Sequence, residues 1–414
     1  ADSALARYVS EGGRDSPFGT NGIGVTPLGG SARIKALVIQ PDGKIVAGGD
    51  TDTISSSAFA LARYHTNGTL DISFGPFGSG IVMATPGVID NRLNALKLQG
   101  DKILVGGVSS VPIDATIPSG IRTAFTLMRF QANGSVDSLF GPNGDGIVKT
   151  VVQPGGTKLS GEINALALQS TGEIVKIVAA GRVFPGGSAG QNIAVLRYDS
   201  NGTLDTTFGT GGFVNTDVAS IEETHTLLIQ PDGKVLVGGS AQSFFALLRY
   251  TAIGVLDTTF DTDGMVTTSI GSGGGASIRS LFFDNNQITV GGISFNGVNN
   301  SEFTLARYTV SGVLDPTFGT GGILRTPVST GLDEIHAMKL VSGKIVAAGF
   351  AADGLRVNFA LARYDATTGG LDPAFGTGGL VTTAIGNGDD EIKALAVQTD
   401  GKIIAAGFSF GANN

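Results

Sequence analysis

The chain of 414 residues contains no cysteine and no tryptophan, and only 15% of its residues are charged. Without cysteine it forms neither disulfides nor thiolate metal sites, so backbone pairing and side-chain packing must stabilise it. No apolar run approaches the roughly 20 residues of a membrane-spanning helix. No segment has the 3.6-residue apolar spacing of an amphipathic helix either. These absences favour an all-β protein.

The charge balance excludes one class of partner. The chain has 27 Lys and Arg against 35 Asp and Glu, which gives a net charge of −8 and a pI near 4.9. Nucleic acids are bound by clustered basic side chains that neutralise phosphates. Here the basic residues are spread along the chain, so we expect no nucleic-acid partner. The 41% of hydrophobic residues is typical of a globular protein.

One motif occurs seven times. It begins with a block such as Phe59-Ala-Leu-Ala-Arg-Tyr64, continues through an Asn-Gly turn, and ends with Leu70-Asp71-Ile-Ser-Phe74-Gly75. Its arginine recurs at intervals of 52 to 68 residues, at Arg7, Arg63, Arg129, Arg197, Arg249, Arg307 and Arg363. A constant motif at varying intervals indicates repeats that differ in loop length.

Each repeat contains four short apolar runs bounded by turn residues, which predicts four strands. In the second repeat these runs cover 34–40, 44–49, 59–65 and 80–85. Seven four-stranded antiparallel units predict a single domain over 1–414, a seven-bladed β-propeller. A solenoid would need capping repeats with polar outer faces, and neither terminal repeat has one.

The two ends of the chain complete each other. The chain begins in the third strand of a repeat, at 4–9, and finishes after a second strand, at 402–407. Joined end to end, the termini closely parallel the continuous stretch 292–308. We therefore predict that N-terminal and C-terminal strands pair in one shared blade, which leaves no open sheet edge. With no initiating Met, the chain is expected to be a mature or excised domain.

Each motif arginine is followed by an aspartate eight residues later, or nine in the last copy. We interpret these residues as a structural ion pair that clips a strand to its following loop. Removing one partner of a buried pair costs about 3 to 5 kcal/mol. The phenylalanine three residues after each aspartate is expected to pack between blades. Representative pairs are Arg63 with Asp71, Arg197 with Asp205, and Arg307 with Asp315.

Polar residues recur near the start of each predicted innermost strand, where they would line the central channel. The first ring contains Lys35, Asn94, Asn164, His225, Arg279, His336 and Lys393. A second, mixed-charge ring lies two positions earlier and contains Arg33, Arg92, Glu162, Glu223, Ser277, Glu334 and Glu391. Asp333, Asp389 and Asp390 lie beside it.

A charged channel mouth is the default ligand site of a propeller. Two other interpretations remain open. An innermost strand that meets channel water tolerates polar side chains without any function, or His225 or His336 acts as a general base oriented by Glu223 or Glu334.

Known cofactor and catalytic patterns are scarce. A three-histidine zinc site would need His65, which the pattern places far from the channel. The turns at 143–146 and 261–264 offer oxygen ligands but fewer carboxylates than a calcium loop supplies. The chain has no His-Glu-x-x-His pair or cysteine nucleophile. We therefore expect no metal or other cofactor, with calcium as the remaining alternative, and assign no catalytic residue.

The long insertions share one face. They cover 108–122, 151–162, 182–191 and 294–302, and they join second to third strands or one repeat to the next. By alternation this is the face of the charged channel mouth. Variable loops on a rigid scaffold usually carry recognition.

The motifs 197–212 and 230–239 closely resemble the delta-60 repeat of bacterial surface and secreted proteins, and the resemblance extends over essentially the whole chain. It is looser at Asp261, which replaces the usual glycine, and at 169–173, which lacks the Asp-Gly turn. The resemblance implies an extracellular repeat module, often part of a larger protein, and it brings no known catalytic residues.

These observations lead to one functional prediction and two alternatives. We expect a non-enzymatic binding or scaffold module, extracellular or on the cell surface and monomeric, that recognises a protein or glycan through its loop-rich face. A hydrolase or lyase at the channel mouth is the first alternative. A structural spacer within a larger surface protein is the second.

Overall fold

Every secondary-structure element of the described chain is a β-strand. The computed structural model describes residues 2–52, 56–114, 117–153, 157–185, 190–218, 222–271, 275–297 and 300–411. Within these ranges there are 28 strands and no α-helix, and thus no helix long and apolar enough to cross a membrane.

The strands are numbered in chain order. The first fourteen are β1 (Asp2–Tyr8), β2 (Ile23–Thr26), β3 (Ser31–Ile39), β4 (Ile45–Asp52), β5 (Ser57–Tyr64), β6 (Ile81–Ala84), β7 (Asn91–Gln99), β8 (Lys102–Asp114), β9 (Ile117–Phe130), β10 (Ile147–Thr150), β11 (Ser160–Thr171), β12 (Ile174–Phe184), β13 (Asn192–Asp199) and β14 (Phe213–Thr216). The others are β15 (Glu222–Ile229), β16 (Val235–Ala241), β17 (Phe244–Tyr250), β18 (Met265–Thr268), β19 (Ala276–Asp284), β20 (Gln287–Phe295), β21 (Ser301–Thr309), β22 (Ile323–Thr326), β23 (Asp333–Val341), β24 (Lys344–Asp353), β25 (Arg356–Asp365), β26 (Leu380–Thr383), β27 (Asp390–Val397) and β28 (Ile403–Ser409).

These strands form seven antiparallel four-stranded sheets, the blades of the propeller. Blades 1 to 6 each use four consecutive strands, from β3–β6 to β23–β26. Blade 7 combines β27 and β28 with β1 and β2, and β1 pairs with β28 from Asp2 opposite Ser409 to Tyr8 opposite Ile403. Strand β27 also contacts β3, which closes the ring. The predicted seven-bladed propeller with a shared blade is confirmed.

The strands of blade 1 lie within a few residues of the predicted runs. The interpretation of 108–122 as a loop is wrong. Strands β8 and β9 continue through most of it as a long hairpin, and Val111 still pairs with Arg122. Extending the ladder satisfies backbone groups that a loop would leave to water. The segments 154–156, 186–189 and 298–299 of the other three insertions lie outside the described residues.

The hydrophobic core lies between blades. One cluster joins Leu5 and Ile404 of blade 7 to Ile34 and Ala60 of blade 1, and the other clusters likewise draw on adjacent blades. Fully burying one large apolar side chain contributes about 1.5 to 3 kcal/mol. The seven motif phenylalanines, all 0% exposed, are Phe18, Phe74, Phe140, Phe208, Phe260, Phe318 and Phe375.

The Asn-Gly turn of the motif has a packing reason. Gly68 has a φ of +85°, and a Cβ there would lie 2.8 Å from the ring of Phe18 in the preceding blade. Gly19 also donates its backbone N–H to the Asn67 carbonyl at 2.8 Å. The turn therefore accommodates the neighbouring ring at a position where only glycine fits without strain.

The motif arginine connects two blades. Arg63 Nε donates to Asp71 Oδ2 at 2.8 Å, and its Nη1 donates to the Ala132 carbonyl of blade 2 at 2.6 Å. Its guanidinium lies 4.7 Å from the centre of the Phe74 ring. Lys44, a residue outside the predicted pair, also reaches Asp71 at 3.2 Å. The same contact joins Arg197 to Asp205 at 2.7 Å and Arg307 to Asp315 at 2.9 Å.

The two faces of the ring differ in what they carry. The arginine–aspartate pairs lie on the face formed by the turns that leave each innermost strand. The opposite face contains the connections between second and third strands and between blades. Innermost strands start at this second face, which we call the loop-rich face.

Candidate binding site at the channel mouth

The innermost strand of every blade carries a β-bulge at the same position. In blade 1 the pairing with β4 jumps from Ile34 to Ala36, so Lys35 has no partner in the ladder. A bulge of this kind re-aims the side chain of its extra residue. The seven bulged residues are Lys35, Asn94, Asn164, His225, Arg279, His336 and Lys393, and all seven line one cavity.

A glycine opposite each bulge permits this geometry. At Gly49 a Cβ would lie 1.8 Å from the Arg33 carbonyl oxygen, so no other residue fits unless the backbone moves. The same approach, between 1.7 and 2.0 Å, occurs at Gly107, Gly181, Gly239, Gly292, Gly349 and Gly407. Close backbone contact therefore explains why every second strand has a glycine at this position.

The cavity has a volume of about 510 Å³, and the innermost strands that line it start at the loop-rich face. Small-molecule sites span roughly 300 to 1,000 Å³. Besides the seven bulged residues, the lining includes Glu162, Arg182, Glu223 and Glu334. Four cations and three carboxylates thus face one space, so its wall suits a polar or charged ligand.

One side of the wall is a chain of amides. Lys35 Nζ donates to Asn94 Oδ1 at 3.1 Å, and Asn94 Nδ2 lies 3.1 Å from Asn164 Oδ1. Asn164 Nδ2 then donates to the Thr224 carbonyl of the next blade at 2.9 Å. Each bulged side chain in this part is held by the next, so the donors and acceptors are fixed in place.

His225 lies between a carboxylate and a guanidinium. Its Nε2 is 3.0 Å from Glu223 Oε2, and Arg279 Nη1 lies 2.5 Å from Nε2 and 3.1 Å from Nδ1. Burial lowers the pKa of His225, and Arg279 lowers it further against the opposing effect of Glu223. In a neutral ring the nitrogen without a proton, whichever of the two it is, then faces the Arg279 guanidinium. The hydrogen bond from His225 is the main reason that the pKa of Glu223 falls to about 2.

His336 has a similar environment. Lys393 Nζ lies 2.8 Å from its Nε2, and Glu334 Oε1 lies 3.7 Å from its Nδ1. Burial lowers the pKa of His336, and the ammonium of Lys393 opposes its protonation as well. As with His225, the basic nitrogen of the ring faces a cation, so neither histidine presents a free lone pair to the channel.

The second predicted ring is divided between the mouth and the loops. Glu334 pairs with Arg279 at 2.6 Å, and Glu391 pairs with Lys393 at 2.5 Å. The interpretation of Asp333 and Asp390 as mouth residues is wrong, because both are fully buried. Their carboxylates accept backbone N–H groups of the preceding loops, from Val328 and Ile385, each at 2.7 Å.

Two residues of the mouth, Arg182 and Asp50, were not predicted from the sequence. Arg182 Nε donates to Glu162 Oε1 at 2.6 Å, and Asp50 forms an ion pair with Lys35. Both follow the glycine opposite a bulge, as does Phe408 in blade 7. Burial raises the pKa of Asp50, although Lys35 counteracts it. The residue after each such glycine is the signal that would have identified them.

The candidate calcium turns have structural roles for their carboxylates. Asp263 Oδ1 accepts the Met265 N–H at 2.9 Å, and Asp145 Oδ1 accepts the Ile147 N–H at 3.0 Å. His65 lies on the arginine–aspartate face. Across the described ranges no group of three or more His, Asp or Glu side chains is arranged to hold a metal ion.

Comparison with known proteins concerns the fold. Residues 40–74, 176–208, 230–260 and 284–318 match the family described as "Domain of unknown function (DUF5122) beta-propeller". No match was found among curated proteins.

Two solved structures illustrate the structural similarity. The periplasmic gluconolactonase PpgL of Pseudomonas aeruginosa is 14% identical, with 94% of this chain and 98% of that chain covered and a TM-score of 0.49. Sqt1 of Chaetomium thermophilum, bound to the N-terminus of ribosomal protein L10, is 13% identical, with 92% and 95% covered and a TM-score of 0.47. At these values the similarity carries no argument about function. The chain is therefore a seven-bladed β-propeller built from repeats, four stretches of which match the DUF5122 beta-propeller family.

Proposed function

We propose that this protein is a non-catalytic binding module that recognises an extracellular protein or glycan at the channel mouth and the surrounding loop-rich face. The observation that carries the proposal is the contrast between two repeated positions. The arginine–aspartate pair is the same in every blade, as a structural element requires. The bulged position instead holds Lys, Asn, His or Arg, although the backbone there is the same.

A varied lining on a constant scaffold supports recognition. Polar side chains that merely tolerate channel water need no fixed partners, whereas here they form hydrogen bonds with one another. Hydrogen-bond donors and acceptors held in place reduce the entropic cost of ordering them on binding. The extracellular setting in this proposal rests on the resemblance to delta-60 repeats.

A hydrolase or lyase is the second candidate, favoured by the 3.0 Å contact between His225 and Glu223. A carboxylate that orients a histidine is a common general-base arrangement. Arg279 Nη1 lies within hydrogen-bond distance of both ring nitrogens, however, so a substrate would have to displace that guanidinium before proton transfer. We therefore place binding first.

An array of matrix proteins and glycans, probed with calcium and with chelator, tests the proposal. We expect saturable binding that is weakened when Lys393, Glu391 and His336 are all replaced by Gln, with circular dichroism unchanged. A His65→Gln variant on the opposite face serves as the matched control. Unchanged affinity in the triple variant would refute a binding site at the mouth. No binding in either buffer would favour a structural spacer within a larger surface protein. Cleavage of an array ligand by the wild type, lost in His225→Gln, would instead favour the hydrolase or lyase.

A further inference from the structure

We propose that the part of the mouth between blades 7 and 1 binds the carboxylate of an acidic glycan, with an apolar sugar face against an exposed phenylalanine. This inference rests on the proposed function and names the class of ligand. The site, here called the cationic pocket, has a volume of about 410 Å³. It is lined by Arg33, Lys35, Glu391, Lys393, Phe408 and Phe410.

The ring of bulged residues is interrupted at this pocket. Six of its seven junctions are bridged by the hydrogen bonds and ion pair that link neighbouring blades. In the described structure no such contact joins Lys393 of blade 7 to Lys35 of blade 1. Two ammonium groups face one cavity here, and an anion between them would complete the ring.

The local charge also favours an anion. Lys35 is paired with Asp50, and Lys393 with Glu391. Arg33 is exposed and has no ion pair within the described ranges, so three cations face two carboxylates. A guanidinium matches the two oxygens of a carboxylate in a bidentate geometry.

Phe408 fixes two of these cations. The guanidinium carbon of Arg33 lies 5.8 Å from the centre of its ring, and Lys393 Nζ lies 5.7 Å from it. Contacts at this distance are attractive because the ring face carries negative charge. Phe408 is only 6% exposed, so it serves as a buried support for the cations rather than as a ligand contact.

Phe410 supplies the apolar half of the site. Its ring is 37% exposed and stands almost perpendicular to Phe408, with the centroids 5.5 Å apart. A carboxylate bonded directly to a ring with an apolar C–H face matches this combination, because the anion reaches the cations while the face covers the phenyl ring. Uronic-acid residues have this chemistry.

The backbone around the pocket disfavours an extended peptide. Peptides that add to a sheet need unpaired N–H and C=O groups along an edge. Here the Phe410 N–H donates to the Asp389 carbonyl at 2.9 Å, and the Gly388 N–H donates to the Phe410 carbonyl at 2.8 Å. Recognition must therefore come from side chains, as it does for a sugar.

Calorimetric titration with trigalacturonate and with its fully methyl-esterified form tests the inference, because esterification removes the charge of each carboxylate and adds only a methyl group. We expect the acid form to bind at least about tenfold more tightly, and Arg33→Gln to lose about the same factor, as charged hydrogen bonds usually imply. Arg14→Gln, an exposed arginine on the opposite face, is the matched control and should bind like the wild type. Phe410→Ala should weaken the binding of trigalacturonate and leave the binding of inorganic phosphate unchanged.

Three outcomes would overturn the inference: equal affinity for the two sugar forms, an Arg33→Gln variant that binds like the wild type, or phosphate and an acidic peptide that compete as well as the trisaccharide. If a ligand from the array no longer binds Arg279→Gln but binds Arg33→Gln as tightly as the wild type, the proposed function stands and this inference alone is overturned. No binding to any array ligand, together with no binding of trigalacturonate, would overturn both the proposed function and this inference.

Discussion

Replacing one inter-blade arginine tests how the ring is held together. Arg249 is 2% exposed and donates to Asp257 Oδ2 at 2.8 Å, to Thr259 Oγ1 at 3.0 Å, and to the Val310 carbonyl of the next blade. Removing one partner of a buried pair costs about 3 to 5 kcal/mol. Because Lys234 stays 3.2 Å from Asp257, we expect Arg249→Gln to lower the free energy of unfolding by about 3 kcal/mol, the lower end of that range.

Urea unfolding followed by far-ultraviolet circular dichroism measures this loss, and a double-mutant cycle with Asp257→Asn isolates the pairwise part. Arg363→Gln is the internal control, since the Arg363 side chain is 14% exposed and its partner Asp372 11%. There the loss should be smaller than for Arg249→Gln, because water reaches both partners more easily. Equal losses at the two positions, or a loss below about 1 kcal/mol for Arg249→Gln, would refute burial of the pair as the source of stability.

Two further predictions concern the mouth. Gly239→Ala should destabilise the fold by more than the 1 to 3 kcal/mol or so of ordinary overpacking, because its Cβ would lie 1.7 Å from the Glu223 carbonyl oxygen. Gly13→Ala, whose nearest contact would be an ordinary 3.5 Å, should melt within a few degrees of the wild type, and equal melting temperatures for both would contradict the bulge argument. Because burial holds the pKa of His336 below its unfolded value of about 6.5, its stabilising contribution is complete above that pH and is lost as pH falls. The urea midpoint should therefore drop between pH 7.5 and 5.5 by more in the wild type than in His336→Gln, and identical drops would count against a neutral buried ring.

The fold could be predicted because its information is local and repeated. Seven copies of the motif give the number of blades, and the short apolar runs give four strands in each. The incomplete repeats at the two ends give the closure, because strand 4–9 lacks the two strands before it. The error at 108–122 arose because the length of the insertion was equated with a loop.

The site was only partly predictable. The ring of bulged residues was identified because a polar residue recurs as the second residue of each predicted first strand. Arg182 and Asp50 come from the neighbouring strand, and only the observed register brings them opposite the ring. The burial of Asp333 and Asp390 depends on how each loop folds back, which the spacing of charged residues does not encode. Strand register and long-range hydrogen bonds therefore determine which side chains line the mouth, and sequence periodicity does not reveal them.

The bulge separates the chemistry of the channel from the architecture of the ring. Lys35 and its six counterparts make no ladder pair, and the glycine opposite already provides the room that the backbone needs. A substitution at one of these seven positions is consequently expected to change the chemistry of the wall at little cost to strand pairing. Proteins with the same blades could thus present different walls, although a change at one position also alters the hydrogen bonds of its neighbours in the ring.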